Sequence, residues 1–291
     1  MNMKDTVIKS IFTIDVEDYF HICGVKGTPP INQWDSISGR VEQNLLKLWD
    51  ILAKYDVKST CFFLGYIARR YPHLVKEAEA RGHEVAAHGM YHTLIYNMSR
   101  AEFTSDLNDC KYLLEDISGK QVSGYRSPSF SHTVKTPYLY DILKENGFSY
   151  DSSLFPAKRE NGGIICDNIS PHWINTAQGK LLEFPISVNK VLGNNICFYG
   201  GGYLRLFPAF VMKRMARELK KQGIPILYYL HPREIDPHHP RLKMSLVRHL
   251  KSYINLKSVD YKLRDILSNN KFITCNDYFN NYSTRTKVNN G

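Results

Sequence analysis

The sequence predicts an α/β fold, a mostly parallel sheet with helices outside it, open or closed into a barrel. Three observations carry this. Short β-branched and aromatic runs alternate with amphipathic helical stretches along the chain. Helical stretches stop at glycines, as at Gly82, Gly147 and Gly223. Five polar residues, Asp15, His88, Arg126, Asp151 and His231, stand at or just after the ends of predicted strands. In parallel α/β folds that carboxyl edge is where ligand sites form.

Taken in order, Val7 to Ile14 alternates and is β-branched, which predicts a strand ending at Asp15. Val41 to Tyr55 has apolar residues at helical spacing, and Val57 to Leu64 reads as a second strand. Ile67 to Arg81 predicts one helix, and Glu84 to Ala87 a short strand delivering His88. Arg100 to Ile117 is helical, Val122 to Arg126 a strand, Pro137 to Asn146 a helix, and Ser149 to Asp151 a strand end. Leu181 to Ile186 and Ile196 to Tyr199 predict strands, while Gly200-Gly201-Gly202 reads as a tight loop. Pro208 to Lys221 is an amphipathic helix, and Ile224 to Leu230 a strand delivering His231. Leu242 to Tyr253 and Tyr261 to Asn269 are predicted helices, and the polar stretch from Asn280 to Gly291 is expected to fray.

The 291 residues suffice for a large core, and no Pro-, Gly- or Ser-rich linker divides them. One domain over 1–291 is therefore expected, with a helical extension from about 240. No apolar run is long enough to span a bilayer, and the polar start Met1 to Ser10 carries no secretory h-region, so the expected location is the cytoplasm, including the inner face of the membrane. The six cysteines form no Cys-x-x-Cys pair, which argues against a zinc finger and for reduced thiols. Between Arg205 and Arg264 fourteen Lys/Arg face four Asp/Glu, equal to the whole net charge of +10. Such a patch suits an anionic membrane surface or a phosphorylated substrate; with no binding motif beside it, nucleic acid is the weakest of the three readings and is not expected as a partner.

His88 and His92 are the chemical centre of the reading. Four residues apart on one helical turn, both imidazoles would project from one face and suit a divalent metal. Thr13-Ile14-Asp15-Val16-Glu17-Asp18 offers a base and an oxygen ligand, with Glu17 and Asp18 competing for the ligand role. Arg126, in Arg126-Ser127-Pro128, could hold Asp15 ionised, and the amide of Ser129 could face a developing oxyanion. His231, after a buried strand, could protonate a leaving amine, with Asp151 as its partner or Glu234 or Asp236 instead. Tyr199, with Tyr203 and Arg205, is a candidate lining for a substrate groove.

In order and spacing these segments resemble the NodB-homology polysaccharide deacetylases, carbohydrate esterase family 4, over Ile11 to about Ile235. The first motif looks like Thr13 to Asp18, the metal-histidine motif like His88-Gly89-Met90-Tyr91-His92, and the arginine motif like Arg126-Ser127-Pro128-Ser129. The later motifs look like Tyr150-Asp151-Ser152-Ser153 and Tyr228-Tyr229-Leu230-His231. His231 to Pro237 and the helical tail are similar to a subgroup associated with exopolysaccharide biosynthesis.

The resemblance implies a distorted (β/α) barrel and removal of N-acetyl groups from a sugar, polysaccharide precursor or lipid-linked sugar. It implies a divalent metal on Glu17, His88 and His92, Zn²⁺ first and Co²⁺, Ni²⁺ or Mn²⁺ as alternatives. Asp15, Arg126, Asp151 and His231 take the catalytic roles. The family's adjacent acid pair is opened here to Asp15-Val16-Glu17, the tyrosine usual after the proline is Ser129, and the tryptophan expected near the fourth motif is missing. A non-sugar amide substrate and a non-catalytic glycan-binding protein are the alternative readings.

Overall fold

In the computed structural model, residues 8–288 are described, with side chains through residue 284. The expected strand start at Val7, the leader reading of Met1 to Val7 and the last three residues lie outside them. The central strand β1 (Ser10–Val16) is buried along its whole length, as a parallel strand covered on both faces must be. On one side it pairs with β2 (Thr60–Phe63), followed by β3 (Glu84–Ala87), β4 (Gly124–Tyr125) and β5 (Tyr150–Asp151), all in parallel. On the other side lies β10 (Leu227–Leu230), also parallel. Beyond β5 the sheet ends in an antiparallel pair, β6 (His172–Thr176) and β7 (Gly179–Glu183). A separate hairpin joins β8 (Val188–Val191) to β9 (Asn194–Cys197), and β11 (Phe272–Ile273) pairs with β1. Among the described residues β6 and β10 do not pair with each other, so the expected barrel is a curled, mostly parallel half-barrel.

Strand residues alternate between two cores. Phe12, Cys61 and Phe63 pack outward against the helices, whereas Ile11, Phe62 and Tyr150 face inward with Tyr229 and Cys275. The outer helices are α1 (Val41–Ala53), α2 (Gly65–Arg70), α3 (Pro72–Ala80), α4 (Arg100–Ser118), α5 (Leu139–Glu145), α6 (Gly201–Leu206), α7 (Ala209–Lys221), α8 (Leu246–Tyr253) and α9 (Val259–Ser268), while α10 (Cys275–Val288) packs against the inner core. Helix α4 opens on a capping box between Ser99 and Glu102 and closes on left-handed Gly119.

Three expectations change. The single helix predicted over Ile67 to Arg81 is broken at Tyr71, because Pro72 cannot continue α2 and instead starts α3. Gly200-Gly201-Gly202 is not just a loop, since α6 begins at Gly201. Gly200 itself bridges to Tyr229, where a Cβ would fall 2.3 Å from the Tyr229 carbonyl oxygen. The stretch from Asn280 to 288 is helical: Phe279 and Tyr282 pack on Trp173 of β6 and anchor α10.

The register decides the chemistry. Ile14 lies opposite Leu230, so Asp15 and His231 leave the sheet side by side. Ala87 lies opposite Tyr125, so His88 and Arg126 do the same. Strands from both halves of the chain therefore meet at one carboxyl edge.

Candidate metal centre and surrounding cleft

Glu17 lies just past β1, and two imidazoles converge on it. Its Oε1 is 3.0 Å from His88 Nε2 and 2.9 Å from His92 Nε2. All three side chains are buried. His88 and His92 do not share a helical turn as the spacing suggested. They bracket a loop in which Gly89 (φ 75°) and His92 (φ 56°) are left-handed. The loop is pinned by the Met90 amide donating to Asp106 and by the Gly65 amide donating to the Gly89 carbonyl.

The second contacts of the two rings make the trio suited to a cation. His88 Nδ1 lies 2.7 Å from the Arg126 carbonyl oxygen, which only accepts, so Nδ1 donates to it and Nε2 is the ring nitrogen turned toward Glu17. His92 Nδ1 meets Cys23 Sγ at 3.1 Å. Two ring nitrogens and a carboxylate oxygen thus crowd within 4.8 Å of one another in a site nearly closed to water. Such a set needs protons or a positive ion to be stable, and its N/O donors suit a divalent metal. Asp18 is not part of it: its carboxylate accepts from the amides of Tyr19, Arg40 and Val41 and so holds the start of α1.

Burial alone would raise the Glu17 carboxyl, but His92, His231 and the hydrogen bonds from the His88 and His92 rings outweigh it and hold it well below the usual range. Burial likewise works against a charged His92, and Cys23 and Glu17 overcome it, raising His92 well above the ordinary histidine value. His21, stacked nearby against His92, is pushed down to about 3 by burial and by His92.

Asp15 is fixed by Arg126, whose Nη1 donates to Asp15 Oδ1 at 2.6 Å and to Thr13 Oγ1 at 2.8 Å. The guanidinium is fully buried, lies over the Phe62 ring at 4.1 Å, and also donates to Ser152. Across the cleft, His231 Nε2 lies 3.8 Å from Asp15 Oδ2 and 3.9 Å from Glu17 Oε1. Its Nδ1 lies 3.4 Å from Glu234 Oε2, an ion-pair contact whose geometry falls short of a hydrogen bond. Burial opposes charge on His231, yet Glu17 and Glu234 raise its pKa. Burial also opposes charge on Glu234, and Arg205, which donates to it, together with His231 brings it down to about 2.

Two expected site residues are elsewhere. Asp151 accepts from the Ser153 amide and hydroxyl and interacts with buried Glu183, while the carboxylate beside His231 Nδ1 is Glu234. Tyr199 does not line a groove. It is buried, with its hydroxyl donating to Asn189, because its face of the chain after β9 turns toward the outer core. Tyr203 lines the cleft in its place. Ser129, left-handed at φ 54°, also lines the cleft. The cleft has a volume of about 300 Å³ and also takes in Cys23, Arg159, Arg205, Arg233, Arg248 and Lys251. The sequence reading had weighed Glu234 three residues after His231, but nothing in the sequence linked Arg205 to it or Cys23 to His92.

Residues 33–150 match the family model for polysaccharide deacetylase, and residues 152–280 match a domain of unknown function (DUF3473). A Bacillus cereus peptidoglycan-N-acetylglucosamine deacetylase is 25% identical over 179 residues, covering 60% of this chain and 74% of the relative. The chain spans only 37% of a second such Bacillus cereus enzyme and 38% of the Helicobacter pylori peptidoglycan deacetylase. Among solved structures, a Mycobacterium smegmatis protein described as a candidate polysaccharide deacetylase aligns with a TM-score of 0.66 at 19% identity, over 99% of this chain and 94% of that one. An allantoinase aligns with a TM-score of 0.61 at 15% identity, over 94% and 89%. At these identities the two structures speak for the fold.

Proposed function

We propose, from the match of residues 33–150 to the family model for polysaccharide deacetylase, that this chain is a metal-dependent hydrolase removing acetyl from an N-acetylated glycan or lipid-linked sugar. The observation that carries this is the convergence of His88, His92 and Glu17, with Asp15 and His231 facing each other beside them. Glu17, His88 and His92 would hold the divalent cation, Zn²⁺ by its preference for mixed nitrogen and oxygen donors, with Co²⁺, Ni²⁺ or Mn²⁺ as alternatives. When bound, such an ion supplies Lewis acidity, which makes water more acidic and polarises a carbonyl oxygen.

The chain's own groups do the rest. Asp15, oriented by Arg126, takes the proton from the attacking water. The Ser129 backbone amide faces the oxygen on which negative charge develops. His231, whose hold on its proton Glu17 and Glu234 strengthen against burial, gives that proton to the departing amine. That proton is required because an amide nitrogen leaves poorly as an anion. Asp151 and Glu183 act behind this machinery, ordering the Ser152-Ser153 turn on which Arg126 rests.

The proposed setting is an anionic membrane surface at the inner face of the membrane. Leu246, Val247 and Leu250 on α8 are 88%, 66% and 60% exposed and stand beside Arg248 and Lys251 at the cleft mouth. Among the described residues no helix is long and apolar enough to cross a membrane. The test is acetate release from N-acetylglucosamine oligomers by zinc-loaded protein. Release of ammonia or formate from small amides, with no acetate from any sugar, would move the substrate outside the glycans.

A further inference from the structure

We propose that the cleft recognises an anionic group on its substrate, a carboxylate or a phosphate, held by Arg233 near His231 and by Lys251 further out. This rests on the glycan-deacetylase reading of the same site. The cleft's carboxylates are already engaged: Asp15 with Arg126, Glu17 with the two histidines, Glu234 with Arg205. Its arginines differ in this respect. Arg205 is matched by Glu234 and Arg248 by Glu160, while Arg159 stacks on Phe155.

Arg233 has no such partner among the described residues. Its Nε is shut off from water without a hydrogen bond. Burial and the neighbouring Arg205 both act against its charge, offset in part by the field of Glu234 and Glu17. A guanidinium in that position, fork open and unmatched, is costly unless an anion completes it, and its geometry suits two oxygens of a carboxylate or phosphate.

A second observation extends the site outward. Arg248 and Lys251 line both the cleft and an adjoining groove of about 630 Å³, which also carries Lys26 and Lys243. The acid in that groove, Glu160, is taken up by Arg248. A continuous cationic path therefore runs from His231 to the outer face of α8, placed to follow the charged part of a substrate whose acetamido group sits at Asp15.

The test measures binding and turnover separately. Zinc-loaded Asp15→Asn protein is titrated calorimetrically with N,N′-diacetylchitobiose, with a disaccharide of N-acetylglucosamine and glucuronic acid, and with N-acetylglucosamine 1-phosphate. One charged probe is expected to bind at least about tenfold tighter than the neutral one at low ionic strength, with the preference erased at about 0.5 M NaCl. Adding Arg233→Gln should cut that preference roughly tenfold, and Lys251→Gln, at the more open end, roughly threefold.

Whichever charged probe wins identifies the anion as carboxylate or phosphate. Equal affinity for all three probes, or an Arg233→Gln variant that weakens charged and neutral probes alike, would overturn the proposal. Acetate release by the Asp15-containing protein is followed in parallel. Intact anion preference without acetate release from any probe would leave the anion site standing and remove the deacetylase reading.

Discussion

His231 finds its electrostatic partner three residues along its own chain: Nδ1 lies 3.4 Å from the Glu234 carboxylate, which Arg205 holds from α6. The proton held by His231 thus depends on a buried chain of three residues, Arg205, Glu234 and His231. Of the partners the sequence suggested, Glu234 is the one beside His231 Nδ1, while Asp151 of β5 is engaged with Ser153. The arrangement ties the β10 end of the cleft to α6, and through the Lys251 carbonyl to α8.

Glu234→Gln should therefore weaken both fold and chemistry. At pH 7 it leaves the buried Arg205 without its charge partner, a loss of about 3 kcal/mol in thermal or urea unfolding. The sign with pH follows from the depressed folded value of about 2. An unfolded glutamate titrates near ~4.3, so the stabilisation from Glu234 is complete above that pH and fades as pH falls toward 2. The gap between parent and variant should close in acid. Turnover should drop, and its alkaline limb should move to lower pH as His231 loses one of the carboxylates that raise its pKa. A variant with unchanged alkaline limb would detach Glu234 from His231.

Asp15→Asn should keep metal and lose turnover. Asp15 is outside the Glu17, His88, His92 trio, so metal analysis should give a content close to that of the parent. Acetate release should fall by about 10²–10⁴-fold, the range for loss of a general base. His88→Ala should show the opposite order, with metal lost first and activity with it. Zinc added at about a hundred times its Kd should raise parental stability by about 2.7 kcal/mol and leave His88→Ala unmoved. Equal zinc stabilisation of both proteins would place the ion elsewhere.

Glu183→Gln should flatten the pH dependence of stability around neutrality. Burial pushes Asp151 up to about 6 and Glu183 well above its ordinary value, so the folded pair keeps a proton that unfolded carboxyls release near ~4. Raised folded values stabilise fully below the unfolded pKa, and that contribution disappears as pH rises through about 6. Glutamine retains an acceptor for the Leu154 amide and a donor toward Asp151. Melting temperatures between about pH 4.5 and 8 should fall less in the variant than in the parent. Parallel curves would assign the slope to other groups.

Leu246→Glu with Leu250→Glu should abolish co-sedimentation with vesicles rich in anionic phosphatidylglycerol while leaving acetate release from a water-soluble oligosaccharide in place. Both side chains are exposed, so the fold loses little packing. Binding that ignores anionic lipid content, or survives the double substitution, would end the membrane-surface proposal.

The parallel strands were legible because a strand buried on both faces must read as a short apolar run, as in Cys61-Phe62-Phe63 or Leu227-Tyr228-Tyr229-Leu230. The polar residue ending each run then falls at the carboxyl edge by topology alone. The hairpin of β6 and β7 was only half legible, since His172-Trp173-Ile174-Asn175-Thr176 is half-buried and mixed in polarity. The spacing of His88 and His92 suggested a helical turn, but a loop with left-handed Gly89 and His92 is what brings both rings to Glu17. Tyr199 and Tyr203 illustrate the limit of pattern reading, because which of two nearby tyrosines faces the cleft depends on where α6 begins. Arg205 and Glu234 meet across 29 residues, and no local rule joins them.

The placement of β1 against β10 has a temporal consequence. The registered pairs, such as Ile14 with Leu230, are separated by most of the chain, and β1 is made first. On the ribosome the nascent polypeptide can gather Glu17, His88 and His92 well before β10 is made, while one edge of β1 stays bare until β10 arrives. Glu17, His88 and His92 therefore exist as a group long before His231 joins them, and a chaperone shielding that naked edge would be guarding a half-built cleft.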